Sequence, residues 1–550
     1  MKPLFIALLI FASLSAMADR RDNYPILGGE LSNSAATCIE DIDEVMPRMQ
    51  QLGLNTVLVP AYWELMEPQE GKFDFTLIDR TIQQARSHNL KVVFLWFGAW
   101  KNSMSCYAPL WVKQDTKRFP RARTANGKPL EIASAFSDNV LQADLHAFTA
   151  LMQHIRDMDM DTDGTVTMMQ IENEIGMLED ARDHSSLADA IYKKGVPAEL
   201  VNYLKKNKKQ LHPWLQARLQ TLTANAPWTA AFGNDIYTDE IFMAYYYACY
   251  VEHLAQAARQ IIPDMPLYVN AAMNSRGRKP GEYPSAGPLA HLIDLWHCGA
   301  PTIDLLAPDI YDTGFKDWAA QYALSNNPLF IPESRCCENS GVRALYAFGE
   351  HRALGFSPFA IDQASPAETA TITKAYALVN QLQYLQTKKP APVWGLLFDQ
   401  QDRERIIEDD NLVMTCRHYF TLPWDARATN GTPWPEGGAI IIRLAKNEYI
   451  IAGSGIVVNF ATKTEKQQEE QKTLGEDGFV DNGNNKLQIA VSKPFTGRRI
   501  GIGSIDEISI NAQGPHPIRR HNGDQSHQGR HARISVGDWK ILHVRLYEYE

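Results

Sequence analysis

The sequence predicts an α/β chain: a (β/α)8 barrel followed by an all-β C-terminal domain. Three observations carry this. Short apolar runs of strand length recur from Tyr24 to Ile361, separated by stretches with helical spacing, the alternation of a parallel sheet with helical crossovers. Eight such strands can be placed in order, which favours a closed barrel, and no GxGxxG follows any of them to argue for an open dinucleotide-binding sheet. Beyond residue 390 the pattern changes to short alternating runs punctuated by Gly, Asn and Asp, which read as strands of a sandwich.

In order, Tyr24–Gly29 is strand one and ends at Glu30. Ile39–Leu52 places Ile39, Ile42, Val45, Met46 and Met49 at helical spacing, and Gly53 sits where a helix C-terminus wants it. Asn55–Pro60 is strand two, and Leu77–Leu90 is the helix after it. Lys91–Phe97 is strand three, delivering Gly98, Ala99, Trp100, Lys101 and Asn102. The helix Val140–Met158 leads to strand four, which opens MMQIENEIG at Met168–Gly176. A Lys-, Leu- and Gln-rich insertion at about 177–228 reads as amphipathic helices, including Pro197–Lys208 and Pro213–Thr223. Insertions in such loops overhang the active face of a barrel. Thr238–Ile262 is a long helix whose Phe242 and Tyr245–Tyr247 are assigned to packing. Pro266–Val269, Ile303–Leu306, Pro328–Ile331 and Pro358–Ile361 supply strands five to eight. KKPAP at Lys388–Pro392 reads as a linker, so the barrel is expected over 19–390 and the β-rich domain over 391–550. The latter's strands are Ala439–Leu444, Tyr449–Ala452, Gly455–Phe460, Lys486–Val491, Arg533–Val536 and Trp539–Tyr549. Lys463–Gly475 and Pro515–Gly529 are expected as polar loops.

A chain of 550 residues is too long for one core, and its 45% hydrophobic content is that of an ordinary globular protein. A net charge of −10 argues against nucleic acid or anionic membrane as partner, whereas a neutral carbohydrate needs no such field. Met1–Ala18 has the form of a signal peptide, with Lys2, the apolar Leu4–Leu14 and the small-x-small Ala16-Met17-Ala18. The mature chain is therefore expected to be exported, periplasmic or secreted, with no membrane insertion; a homo-oligomer stays open. Seven cysteines, an odd number, make no disulfide framework. A pair among Cys106, Cys336 and Cys337 stays open, and no CxxC or His-rich spacing points to a metal, so no cofactor is expected.

The chemistry-bearing residues fall at strand ends. The apolar run Met168, Met169, Ile171 stops at Glu172-Asn173-Glu174, and Pro328–Pro332 delivers Glu333 with Ser334 and Arg335 behind it. At the C-terminal ends of barrel strands, ionisable residues read as chemistry. Glycoside hydrolysis needs two such carboxyls, one protonated to serve the leaving oxygen and one ionised to attack the anomeric carbon. Tyr311, after strand six, is placed to donate its phenol to Glu333. Tyr62, Trp63 and Glu64 after strand two offer an aromatic face and a carboxylate to a sugar. Trp100, Lys101 and Asn102 after strand three offer the same kind of mixture, and Glu30 and Asn33 close the list after strand one.

QIENEIG, PAYWELMEPQEGKFDF with the helix after it, APDIY and FIPESR together resemble glycoside hydrolase family 35, the β-galactosidases, within the clan A retaining glycosidases. The resemblance covers roughly residues 24–390. It implies that Glu174 is the acid/base, that Asn173 contacts the sugar's 2-hydroxyl, and that Glu333 is the nucleophile. The implied activity is exo-acting retaining hydrolysis of terminal β-galactosyl residues of plant-type oligo- or polysaccharides. Family 35 members usually carry a longer Gly- and Tyr-containing motif after strand three, with a carboxylate that reads galactose. Here FGAWKNS stands in its place. An arabinopyranosidase, an endo-acting enzyme of the clan and an inactive carbohydrate-binding protein are the alternatives.

Overall fold

The computed structural model describes residues 25–159, 164–274, 276–311, 313–324, 327–385, 391–422, 424–468 and 495–550. The Met1–Ala18 leader, the Lys486–Val491 run and most of the KKPAP stretch lie outside the described residues. Among the described residues no helix is long and apolar enough to cross a membrane.

The chain divides into two compact units, the first comprising 1–336 and 353–364 and the second 337–352 and 365–550. A single cut at residue 390 differs from this division, because the helices Ser340–His351 and Pro366–Leu382 fall in the second unit.

The first unit holds a closed barrel of eight parallel strands. They are β1 (Ile26–Glu30), β2 (Thr56–Tyr62), β3 (Lys91–Phe97), β4 (Val166–Gln170), β5 (Leu267–Ala272), β6 (Leu305–Ile310), β7 (Phe330–Ser334) and β8 (Gly355–Pro358). Each pairs with the next in sequence, as Gly28 with Thr56 and Val57 with Val92, and Ile26 opposite Gly355 closes the ring. Strands buried on both faces carry continuous rather than alternating apolar runs, and β2 is buried along its whole length. The helix α1 (Ile39–Gln51) follows β1, and its buried Ile42, Met46 and Met49 recur at the three- and four-residue spacing of one helical face. The insertion contains helices at Ser186–Tyr192, Ala198–Asn207, Pro213–Arg218 and Trp228–Phe232. Its neighbour α2 (Ile236–Ile261) buries Phe242, Tyr245 and Tyr247, as a packing role requires.

Several strand bounds shift, and those of the last strands matter for the site. β6 and β7 run past their apolar residues into Asp309 and Glu333, which pair directly in the ladder. Strand eight lies at Gly355–Pro358 and not at Pro358–Ile361. Its GFSP has one large apolar side chain, so pairing with Phe330 and Ile26, rather than hydrophobicity, defines it. A short hairpin, Arg121–Arg123 with Pro129–Ala133, also stands after β3 where no strand was expected.

The second unit is built on two antiparallel sheets. The six-stranded one contains β9 (Val393–Phe398), β12 (Gly437–Ala445), β13 (Glu448–Ser454), β15 (Arg499–Asn511), β16 (Gly514–Arg520) and β18 (Lys540–Tyr549). The four-stranded one contains β10 (Glu404–Asp409), β11 (Leu412–His418), β14 (Ile456–Thr462) and β17 (Ala532–Ile534). Leu396, Ile441 and Leu542 of one sheet share a core with Met414, Val458 and Ile534 of the other. The expected polar loop at Pro515–Gly529 is half wrong, since β16 pairs with β15 there. Its residues are almost all exposed, so no apolar alternation marks it. Lys463–Gln468 is a short helix rather than loop. No disulfide joins Cys106, Cys336 and Cys337, so the open pairing among them is not made.

The helix Ser340–His351 lies directly on β9. A Cβ on Gly395 would meet the Glu350 nitrogen at 2.5 Å and the Tyr346 carbonyl at 2.6 Å. Backbone cannot retreat as a side-chain tip can, so Gly395→Ala is expected to force the helix off the sheet and cost about 1–3 kcal/mol. Denaturant unfolding that gave the same midpoint for both proteins would contradict this close packing.

Candidate active site

The site is assembled where β1, β3, β4, β6 and β7 end. After β4 the chain turns through Glu172 and Glu174, both at positive φ (58° and 46°), and after β3 through Asn102 and Ser103 (51° and 61°). Non-glycine residues in the left-handed region cost roughly 1 kcal/mol each and persist only where the surroundings hold them. Here the two segments hold each other. Asn102 N–H donates to the Asn173 carbonyl (3.1 Å), Ser103 N–H to that of Glu174 (3.2 Å), and Asn173 N–H to that of Trp100 (3.3 Å). The Glu172 carboxylate accepts from the N–H groups of Ala99 (3.3 Å) and Trp100 (2.7 Å). Behind it, buried Asp144 accepts from Trp96 Nε1 (2.9 Å) and the Tyr250 hydroxyl (2.8 Å). Burial, then the neighbouring Asp144, pushes the Glu172 carboxyl well above the usual range.

On this frame Glu174 is fixed at both ends. Its N–H donates to Asn270 Oδ1 of β5 (2.9 Å), and its Oε2 accepts from Asn102 Nδ2. Asn270 Nδ2 in turn donates to Asp309 Oδ2 (2.8 Å). The Tyr311 hydroxyl donates to Glu333 Oε1, while Arg335 Nε donates to the Tyr311 carbonyl (3.1 Å). Carboxylate oxygens of Glu174, Asp309 and Glu333 all lie within 4.8 Å of one another, a spacing at which carboxyls share protons or a cation. All three are almost sealed from solvent, at 5%, 1% and 3% exposure, and Glu30 is at 1%.

Burial and crowding govern the electrostatics. Desolvation, then the charge of Glu333, pushes Glu174 up to about 7, against the opposing pull of the Lys101 ammonium. Glu30 is raised well above the carboxylate range by burial and then by Glu333, again opposed by Lys101. Asp309 is raised by burial, then by Glu333 and Glu174. Burial and the adjacent Glu333 likewise raise the Tyr311 phenol, which therefore stays a donor.

Of the residues singled out in the sequence, the structure brings together Glu30, Lys101, Asn102, Glu174, Tyr311 and Glu333. Asn173 lies between them, fully buried, with neither side-chain polar atom hydrogen-bonded. Others stand apart. Trp63 is fully buried, gives its Nε1 to Glu67 (2.8 Å) and packs on Trp96 and Trp111, so it is core rather than a sugar platform. Tyr62 packs against Phe97 and Tyr107, with its hydroxyl accepting from Ala36 N–H (3.4 Å). Glu64 pairs with Lys113 at 3.4 Å. Trp100 is fully buried edge-on against Tyr247 and Tyr250, offering no open face. Asn33 gives only its carbonyl, to Tyr107. Sequence reasoning missed Asp309, Asn270 and Asp144. Asp309 stands inside the quoted APDIY, where its position at a strand end was the available signal.

The model of the glycoside hydrolase family 42 β-galactosidases matches residues 35–241, and one described as a domain of unknown function, DUF5597, matches residues 372–533. The matched glycosidase family is thus 42 and not the family 35 that the motifs resemble. A β-galactosidase of Xanthomonas manihotis is 28% identical over 153 residues, 26% of this chain and 22% of that protein. Among solved structures, a β-galactosidase from the psychrophilic Marinomonas ef1 is 14% identical with a TM-score of 0.45, over 64% of this chain and 59% of that one. A family 42 β-galactosidase from G. stearothermophilus is 16% identical with a TM-score of 0.45, over 67% and 58%. The chain spans about a fifth of the length of the first relative and under two thirds of each of these structures.

Proposed function

We propose that this chain is a retaining β-galactosidase that removes terminal β-galactosyl residues from oligo- or polysaccharides by double displacement. The observation that carries the reading is the approach of Glu174 and Glu333 to within 4.8 Å at the ends of β4 and β7. Retaining enzymes hold their two carboxyls about 5–5.5 Å apart, whereas inverting ones leave roughly 6.5–9.5 Å for a water. The sugar preference is supported by the family 42 match over residues 35–241. Exo action is supported by burial: the carboxyls are at most 5% exposed, which suits a pit for one terminal residue better than an open groove.

In this reading Glu333, oriented by the Tyr311 hydroxyl, attacks the anomeric carbon as a carboxylate. Glu174, carrying a proton because burial and Glu333 raise it to about 7, protonates the departing oxygen. The bond from C1 to the leaving oxygen breaks as the bond to Glu333 forms. Glu174, now ionised, takes a proton from water, which attacks C1 from the opposite face and frees Glu333. Asn173, whose amide has no partner of its own, meets the sugar's 2-hydroxyl, and Lys101 balances the negative charge between Glu30 and Glu174.

A panel of nitrophenyl glycosides including the β-galactoside and α-arabinopyranoside tests the sugar. Proton NMR should find the β-anomer of the sugar formed first; the α-anomer first means inversion and a wrong clan. Glu333→Ala is expected to abolish turnover on every substrate, since no glycosyl-enzyme can form. Glu174→Ala should give a burst of nitrophenolate followed by slow turnover, which azide accelerates with release of the β-glycosyl azide. Release of the β-glycosyl azide by Glu333→Ala and not by Glu174→Ala would exchange the two assignments, whereas an α-azide from Glu333→Ala supports its role as nucleophile.

The pH profile follows from Glu174. Because its proton is required for a poorly activated leaving group, kcat/KM on such a substrate should fall as pH rises through about 7. On a dinitrophenyl glycoside, whose leaving group needs no proton, that limb should vanish. An alkaline limb of equal midpoint on both substrates would assign it to another group.

A further inference from the structure

Asp309 is the member of the carboxylate cluster to which the double-displacement reading gives no task. It is buried on β6 at 1% exposure. Its two oxygens are in different surroundings. Oδ2 accepts from Asn270 Nδ2 at 2.8 Å, and that amide cannot turn over without losing the Glu174 N–H held by its Oδ1 at 2.9 Å. Asp309 Oδ1 is buried and receives no donor at all. A carboxylate oxygen of Asp309 lies within 4.8 Å of carboxylate oxygens of Glu174 and Glu333, which are acceptors.

A buried carboxylate oxygen with no donor, set against other carboxylates, is the place where a proton belongs. The charges that act on it most strongly are negative. Glu174, Glu333 and Glu30 act on Asp309 as negative charges, and the phenols of Tyr268, Tyr311 and Tyr322 face it. The ammonium of Lys101 acts on Glu30 and Glu174.

We propose that Asp309 is a positioning residue that keeps a proton on Oδ1 and gives it as a hydrogen bond to the Glu174 carboxylate whenever Glu174 is ionised. Its part in catalysis rests on the double-displacement reading; its protonation does not. In the first half-reaction Glu174 carries its own proton and Asp309 is a neutral neighbour. Once that proton has left with the aglycone, Glu333 is an uncharged glycosyl ester, and Glu174 and Asp309 would otherwise be charged together. The Asp309 O–H then stabilises ionised Glu174 and holds it oriented as the base that activates water. No proton leaves Asp309 in the cycle. Burial and the negative charges of Glu333 and Glu174 all favour the neutral form of Asp309, consistent with this role.

The test uses the full chain with Asp309→Ala and Asp309→Asn, read two ways. The first readout is steady-state kinetics on dinitrophenyl β-galactoside. Asp309→Ala removes the donor that supports the base, so the glycosyl-enzyme should accumulate, with kcat falling about tenfold and KM falling alongside. A purely structural defect would lower kcat with KM unmoved, and that result overturns the proposal. Asp309→Asn keeps an acceptor for Asn270 and a donor for Glu174, and is expected to recover kcat to within about threefold of wild type. If Asp309→Asn is as impaired as Asp309→Ala, an ionised carboxylate is needed there and the neutral acid is wrong. Loss of activity in a chelator, reversed by a divalent ion, would then identify it as a cation ligand. The second readout is infrared difference spectroscopy, wild type minus Asp309→Asn, at neutral pH. A protonated-carboxyl C=O band in the wild type supports the proposal, and its absence overturns it. A wild type that shows the band but cleaves no glycoside would sink the enzymatic reading while leaving the proton on Asp309 established.

Discussion

The interaction on which the site depends is repulsion among carboxyls that the barrel forces together out of water. Two unit charges 4.8 Å apart repel by about 3 kcal/mol at an effective dielectric of about 20. With Glu174, Asp309, Glu333 and Glu30 all at most 5% exposed, water does little to relieve that. The cost is met by protonation, by Lys101 beside Glu30 and Glu174, and by the donors Asn102, Asn270 and Tyr311. Two carboxyls of one chemical type can then take opposite roles, because their donors differ. Glu174 is pushed toward its acid form, while Glu333 receives a phenol hydrogen bond.

Such crowding needs a rigid support, and the strained turns supply it. Glu172, Glu174, Asn102 and Ser103 all sit at positive φ. They are locked by backbone hydrogen bonds between the two segments and by Glu172 gripping the N–H groups of Ala99 and Trp100. The first acid of IENE thus serves the backbone and the second joins the carboxylate cluster. That division follows from the turn itself, since residues 172 and 174 leave the strand toward different neighbours. Beneath them Asp144, Trp96 and Tyr250 form a buried polar layer in which both carboxylate oxygens of Asp144 accept a hydrogen bond.

The second unit obeys different rules. Its two sheets meet through mainly aliphatic side chains, and charges are met by opposite charges, as in the Arg405–Glu350 pair at 2.7 Å and the Arg343–Glu436 pair at 2.6 Å. Among its described residues no three carboxylates gather as they do at the barrel end, and carboxylates such as Glu350, Glu436 and Asp409 are paired with arginines.

The sequence by itself determined the barrel and the order of its strands, and it singled out Glu174, Glu333 and Tyr311, which the structure brings together. Each of these is local: an apolar run, a helical spacing, a polar residue placed where a run stops. Periodicity also found half of the ten described C-terminal strands; it missed β9, β10, β11 and β15, and it missed β16 because an exposed strand carries no apolar alternation. The sequence could not separate Trp63 and Trp100, which are core, from Lys101 and Asn102, which reach the carboxylates. On a strand or turn, a shift of one residue reverses the direction of a side chain, and only packing sets that register. Nor could it find Asp309 and Asn270 as partners of Glu174, 135 and 96 residues away by number, because strand closure rather than sequence brings them together. Family assignment divided in the same way: the motifs resemble family 35, whereas the model matching residues 35–241 is that of family 42. What the tertiary structure alone decided is the protonation economy of the site. A carboxyl's charge depends on the water it has lost and the charges it has met, and both are properties of the fold.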